Sequence, residues 1–185
     1  MARIVSLAAV CMLIVTVASG GELAGVTMAD QVTVGDASVE LNGMGLRKKL
    51  WVEVYVAGLY VASPSSDPAE IVGSTGPKRM VMHFLTDRAT KKKMDEAWLE
   101  GFEANSPRVW PKIEDRVTKF IGFFGDMKEG DVVEIDIVPG AGTSVAVNGD
   151  PMGVIEGDDF GSALLEVWLG DHPPSDDLRA GLLGR

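Results

Sequence analysis

Val39-Glu-Leu-Asn-Gly-Met-Gly-Leu-Arg-Lys-Lys-Leu-Trp-Val-Glu-Val-Tyr-Val-Ala-Gly-Leu-Tyr-Val61 is the stretch on which the fold turns. Residues 50–61 are almost all apolar, with Glu53 the single charge, and are rich in β-branched and aromatic side chains. Such a run predicts a central strand covered on both faces. Asn42-Gly43-Met44-Gly45, just before it, has turn chemistry, because glycine tolerates positive φ. Arg47, Lys48 and Lys49 then place three cations at the strand's entrance. That entrance suits an anionic ligand; it is equally what a strand leaving a surface turn looks like.

Working outward, residues 31–34 and 37–41 read as short strands broken by Gly35-Asp36. Downstream, Asp67 with Pro68 behind it starts a short helix to about residue 72. Residues 78–85 form another strand, with Met80, Met82 and Phe84 on one face and Val81, His83 and Leu85 on the other. His83 in that company reads as a satisfied core histidine, with a metal ligand or catalytic base as the alternatives. Thr90 caps a helix to about residue 105 whose apolar face is Met94, Ala97, Trp98, Gly101 and Phe102. A second helix over 109–124, closed by Gly125, buries Ile113, Val117, Phe120, Ile121 and Phe124. Aromatic residues at this spacing build a core, or wall an apolar pocket. Residues 131–138 alternate apolar and acidic side chains, a strand with one wet face. Asn148-Gly149 joins 143–147 to 151–155 as a hairpin. Asp159 caps a helix ended by Gly170, and Ser175 caps a last short one. Strands, two helices, strands, two helices: the order predicts an α+β chain, an antiparallel sheet with helices on one face.

The 185 residues suit one domain and a removable leader. Arg3 precedes an apolar run over 4–17, shorter than the roughly 20 residues needed to span a bilayer. Small residues follow at Ala18-Ser19-Gly20 and at Thr27-Met28-Ala29, so residues 1–29 read as a signal peptide cut after Gly20 or Ala29. The expectation is a periplasmic or secreted protein, residues 30–185 forming one domain with no transmembrane segment in the mature chain. Cys11 is the only cysteine and lies in the leader, which removes disulfides and a cysteine nucleophile from the mature chain. A lipoprotein reading fails because Val10, not a small residue, precedes Cys11. The net charge of −10 argues against binding nucleic acid or anionic lipid through the overall field. A local cationic pocket is compatible with it.

The chain lacks a glycine-rich nucleotide loop opening a helix, a Walker lysine, His/Cys metal spacing and a Gly-x-Ser-x-Gly elbow. Glu156, Asp158 and Asp159 read as a polar loop capping a helix rather than a glycosidase pair. No metal and no cofactor is therefore expected; haem would need His83 or a methionine at a cleft.

Gly43-x-Gly45-x-Arg47, Val54-Tyr55-Val56-Ala57-Gly58-Leu59-Tyr60, Val81-Met-His-Phe-Leu85, Gly130-Asp131, Asn148-Gly149 and Leu164-Leu-Glu-Val-Trp168-Leu-Gly170 occur in that order. Together they resemble the bacterial chalcone isomerase-like proteins, over about residues 39–183. The resemblance implies an open-faced β-sandwich, a large antiparallel sheet covered by helices with the ligand cleft between them. It also implies chemistry. Chalcone isomerases add a phenolate oxygen to an enone within one molecule, steered by an Arg and by Thr, Tyr and Asn groups that bind oxygen functions and water. In the motif alignment Arg47 falls on the family's Arg, Tyr55 on the Thr, Thr90 on the Tyr and Ala97 on the Asn. One polar group is exchanged and two are lost, and since oxyanion stabilisation depends on placed donors, this argues against flavonoid cyclisation.

Plant relatives of the same fold bind fatty acids through an Arg and a Tyr, and Arg47 with Tyr55 resembles that pair. A guanidinium grips a carboxylate through two charge-assisted bonds, and an apolar cleft takes the tail. Eight residues of unbroken strand would separate the two side chains by about 26 Å, so they can share a ligand only if the chain turns between them, within residues 48–51. The leading expectation is an exported binder of a small amphipathic, fatty-acid-like carboxylate. The alternatives are an intramolecular lyase using Arg47 and Tyr55, with Thr90 a weaker candidate, and a structural or interaction module of the cell envelope.

Overall fold

The computed structural model describes residues 20–185. The apolar run of the expected leader lies outside the described residues. A small hairpin comes first, β1 (Gly21–Leu23) and β2 (Val26–Met28). Seven strands follow in one antiparallel sheet whose spatial order is the chain order: β3 (Gln31–Val34), β4 (Ala37–Lys49), β5 (Val52–Val61), β6 (Lys78–Phe84), β7 (Val132–Val138), β8 (Gly142–Val147) and β9 (Asp150–Ile155). Five helices interrupt or follow them: α1 (Pro68–Gly73), α2 (Lys91–Asn105), α3 (Trp110–Ile121), α4 (Asp158–Leu169) and α5 (Asp176–Leu182). This is the α+β chain expected from the element order and the open-faced β-sandwich that the family resemblance implies.

Strand β5 is covered on both faces. Tyr55, Ala57, Leu59 and Val61 join Met80, Met82 and Phe84 of β6 in the main core beneath the helices. The helices contribute Trp98, Phe102, Phe120, Phe160 and Trp168 to that core. Trp98 packs edge-on against Trp168 and Phe120, with ring centroids 5.3 and 5.0 Å away. Val56 and Tyr60 face the other way, into a smaller cluster with Met28, Val34, Val39 and Val81. The β1–β2 hairpin therefore packs into the domain, and the Tyr60 hydroxyl donates to the Ala29 carbonyl at 3.0 Å. Burial of two hydrophobic layers, one on each side, explains why β5 is a continuous apolar run rather than an alternating one.

The turn expected at Asn42–Gly45 is not there. Those residues are the middle of β4, and the chain turns at Leu50-Trp51, which the sequence places in the strand. The glycines serve close approach instead. A Cβ on Gly43 would collide with the Gly181 carbonyl oxygen, and one on Gly45 with that of Leu178, so α5 lies directly on this backbone. Asn42 locks the contact: its amide donates to the Leu182 carbonyl at 2.7 Å and its side-chain oxygen accepts from the Ser65 N–H at 2.7 Å. The true turn carries no turn residue, and Leu50 takes φ 57°, a conformation that costs a non-glycine residue about 1–2 kcal/mol.

Smaller boundaries shift as well. Helix α3 closes at Gly122 rather than Gly125. The cap of α4 is Gly157, because Asp159 instead holds Arg116 through two bonds of 2.7 Å. Asp67 and Ser175 cap α1 and α5, accepting from the Ala69 and Leu178 N–H groups.

Candidate functional site

Arg47 and Tyr55 stand opposite each other across the β4–β5 ladder. The turn at Leu50-Trp51 brings them there, so the separation of an extended strand collapses to the roughly 5 Å between cross-strand Cβ atoms. A register shift follows immediately: Lys48 pairs with Glu53, and Val54 is left without a partner on β4. A bulge of this kind re-aims side chains. Here Val54 and Tyr55, neighbours in sequence, both line one cavity, which a strict alternation of faces would forbid.

The cavity measures about 610 Å³ and lies between the open end of the β4–β5 ladder, α2 and α4. Val52, Val54, Met82, Met94, Trp98 and Val167 supply apolar wall. Ala97, Gly101 and Ala104 are small residues of α2 that also line it; at Gly101 the missing side chain lets Val167 of α4 pack close to the helix. Arg47, Lys49, Arg88 and Lys93 bring four cations to the lining, against one carboxylate, Glu100. His172, Pro173 and Pro174, on the chain leading into α5, complete the boundary.

The Tyr55 ring is buried, and its oxygen accepts a hydrogen bond from Trp168 Nε1 at 3.2 Å. Burial raises the phenol's pKa; the Trp168 bond and the Arg47 charge oppose that rise without cancelling it. Tyr55 is thus a neutral phenol at physiological pH. With Trp168 donating to its oxygen, its own hydrogen is free to be donated. Arg47 is half-buried, and one Nη1 N–H goes to the Lys48 carbonyl. A guanidinium has five N–H donors, so most of its capacity is uncommitted there. Trp98, on the cavity wall, is buried with no hydrogen-bond partner for its indole N–H among the described residues.

Thr90 sits at the start of α2, makes no side-chain cap bond, and is not among the cavity residues. Ala97 is on the wall and offers only a methyl group. His83 belongs to the opposite face of the sheet, where burial lowers its pKa and Glu134 partly offsets that. For haem, only Met82 and Met94 of the residues considered lie on the cavity. Among the described residues no group of three or more His, Cys, Asp or Glu side chains could hold a metal, and no helix is long and apolar enough to cross a membrane.

Sequence reasoning picked out Arg47, Tyr55 and the aromatic faces of α2 and α3; α2 lines the cavity and α3 does not, while α4 (Val167 and Trp168), Arg88, Lys93 and His172-Pro173-Pro174 went unmarked as its lining. Nothing local marks those as cavity residues; loops far apart in sequence converge only in the fold.

Comparison with known proteins agrees with this architecture. A family model described as chalcone isomerase-like matches residues 20–184. The crystal structure of the Arabidopsis thaliana fatty-acid binding protein AtFAP1 superposes with a TM-score of 0.65 at 16% sequence identity, covering 86% of this chain and 92% of that one. No curated protein sequence matches.

Proposed function

From the premise that this chain belongs to the chalcone isomerase-like family, we propose that it binds a small amphipathic carboxylate of the fatty-acid type in the cavity beside β5. The observation that carries this reading is the pairing of Arg47 with Tyr55 on a cavity that is otherwise largely apolar. The guanidinium supplies charge and two parallel N–H bonds to a carboxylate. The neutral Tyr55 phenol supplies a third donor without adding a competing negative charge. Val52, Val54, Met82 and Trp98 would take the tail. A volume of about 610 Å³ falls in the usual range for small-molecule sites. That one structural neighbour is a fatty-acid binding protein supports the same ligand class.

The protein is proposed to be exported, with cleavage after Gly20 rather than Ala29. Cutting after Ala29 would remove the β1–β2 hairpin and its buried Met28. N-terminal sequencing of the protein recovered from the cell envelope tests this: a chain starting at Asp30 refutes it.

The lyase reading keeps one observation in its favour, a phenol held neutral beside a guanidinium, which could steady a developing oxyanion. Against it, Thr90 is off the cavity and Ala97 has no donor. An envelope module with a filled core is disfavoured by the open cavity itself.

Native mass spectrometry with organic extraction of the purified protein separates these readings. A co-purifying fatty acid or other amphiphilic acid, lost in Arg47→Ala, supports the carrier. An apo mass with turnover of a chalcone-like enone supports the lyase.

A further inference from the structure

The tip of the β4–β5 hairpin contradicts two rules at once. Leu50 and Trp51 are each 81% exposed, among the few large apolar residues left in water, and they occupy a two-residue turn where polar residues and glycine are the norm. Leu50 also adopts φ 57° there. Strain and exposure maintained together at one place point to a contact the isolated chain does not show. The flanks of the tip are basic. Arg47, Lys48 and Lys49 lead into it, and Arg88 and Lys93 lie on the same cavity lining as Lys49 and Leu50. Glu53 pairs with Lys48 at 3.0 Å, and Glu100 is the carboxylate of the cavity lining. The remaining cations outnumber them, in a chain whose net charge is −10.

We propose that this tip docks the protein on an anionic lipid bilayer, with Leu50 and Trp51 entering the interface and the surrounding lysines and arginines lying at headgroup level. Tryptophan favours the membrane–water interface, and basic side chains beside an apolar wedge hold their charge at the phosphates while their stems remain in less polar surroundings. A protein partner would call for a broader apolar face; two exposed residues on a turn, ringed by cations, fit headgroups over acyl chains. Leu50 is both tip and cavity lining, so docking would set the cavity's edge against the bilayer. An amphiphile could then pass between membrane and cavity with little exposure to water. Docking stands on the tip alone; transfer also rests on the ligand class proposed above.

The test is co-sedimentation with ligand-free vesicles of phosphatidylcholine, with or without about 30 mol% phosphatidylglycerol. Wild type is compared with Trp51→Ser in the same chain, so residues before Gly20 contribute equally to both. Trp51 is exposed and not a cavity residue, and circular dichroism checks that the variant keeps its fold. The expected result is binding that needs the anionic lipid, falls roughly tenfold in Trp51→Ser, and weakens when salt is raised from about 0.05 to about 0.5 M. Vesicles should also shift tryptophan emission to the blue in wild type and not in the variant. No binding to anionic vesicles, or binding unchanged by Trp51→Ser, overturns the proposal. So does a blue shift that follows protein concentration and not lipid, which would assign the tip to a second copy of the chain. Fatty-acid affinity in vesicle-free solution, measured on the same two proteins, should be equal. Failure of ligand binding in both is then distinct from failure of docking.

Discussion

The middle and the open end of the β4–β5 ladder are built to opposite specifications. Around Gly43 and Gly45 side chains have been deleted so that the backbone of α5 rests on the backbone of β4. From Arg47 to the turn, long side chains return, and α2 and α4 leave a cavity beside them. One strand pair thus serves as a packed joint in its middle and a cavity wall at its open end. The switch takes two residues, Gly45 to Arg47, on the same face. What separates stability from function here is whether a neighbouring backbone is close enough to exclude side chains.

The sharpest way to break that contrast is Gly45→Val. Its branched side chain would meet the Leu178 carbonyl, so α5 must lift or β4 must bend. Overpacking against backbone predicts a loss of about 3 kcal/mol or more in chemical denaturation, with any ligand affinity falling only as the fold does. An unchanged denaturation midpoint would show that α5 is not seated as described. Arg47→Ala should do the reverse. The side chain is half-buried and pairs with no carboxylate among the described residues, so stability should move by less than about 0.5 kcal/mol. Affinity for a fatty acid in calorimetry should drop by roughly tenfold to a hundredfold, the worth of a charge-assisted contact of about 1.5–3 kcal/mol.

Tyr55→Phe lies between the two. Removing the phenol oxygen leaves Trp168 Nε1 buried without its acceptor, which should cost about 1–2 kcal/mol. If the hydroxyl also touches the ligand, affinity falls a few-fold as well; a stability loss alone would make Tyr55 a purely structural member of the wall. The pH profile gives a second reading. Burial raises the phenol's pKa above its unfolded value of 10.0, so above that pH the unfolded chain loses a proton that the folded chain retains. Stability is therefore full below pH 10 and declines as pH rises through that region, and Tyr55→Phe should flatten the decline. Tyr60 shifts the same way and Lys78 the opposite way, so the difference between wild type and variant is the quantity to measure.

The smallest effect belongs to His83→Gln. Burial lowers this imidazole's pKa below 6.5, so its contribution is present above that pH and is lost as pH falls toward the folded value. The variant should flatten the acid side of the stability curve while leaving ligand affinity at neutral pH unchanged, since His83 is on the far face of the sheet. An altered affinity would mean the two faces communicate.

Much of this molecule is legible in its sequence. Periodicity located the strands and helices, because burial on one face forces a repeat of 2 or 3.6 residues and burial on both forces a continuous apolar run. Asp67-Pro68, Ser175 and Asn148-Gly149 marked real caps and a real hairpin, since their chemistry acts over three or four residues. Gly43 and Gly45 misled, for a physical reason. Glycine is required both by a tight turn and by a close approach, and a sequence does not show which, because the approaching backbone, α5, lies some 130 residues downstream. The turn at Leu50-Trp51 has no local signal, since its apolar side chains read as strand; only the need for Arg47 and Tyr55 to meet placed a turn within residues 48–51.

Taken alone, the sequence determined the class of the fold and the two-faced character of β5; Arg47 and Tyr55 came forward as a candidate pair through the family resemblance. Only the tertiary structure decided that the pair would meet, because their meeting depends on where one hairpin turns and on a one-residue bulge after it. It alone gathered Arg88, Lys93 and His172 at one cavity. Local chemistry is written in neighbouring residues; a cavity is written in distances between segments that only a closed fold brings together.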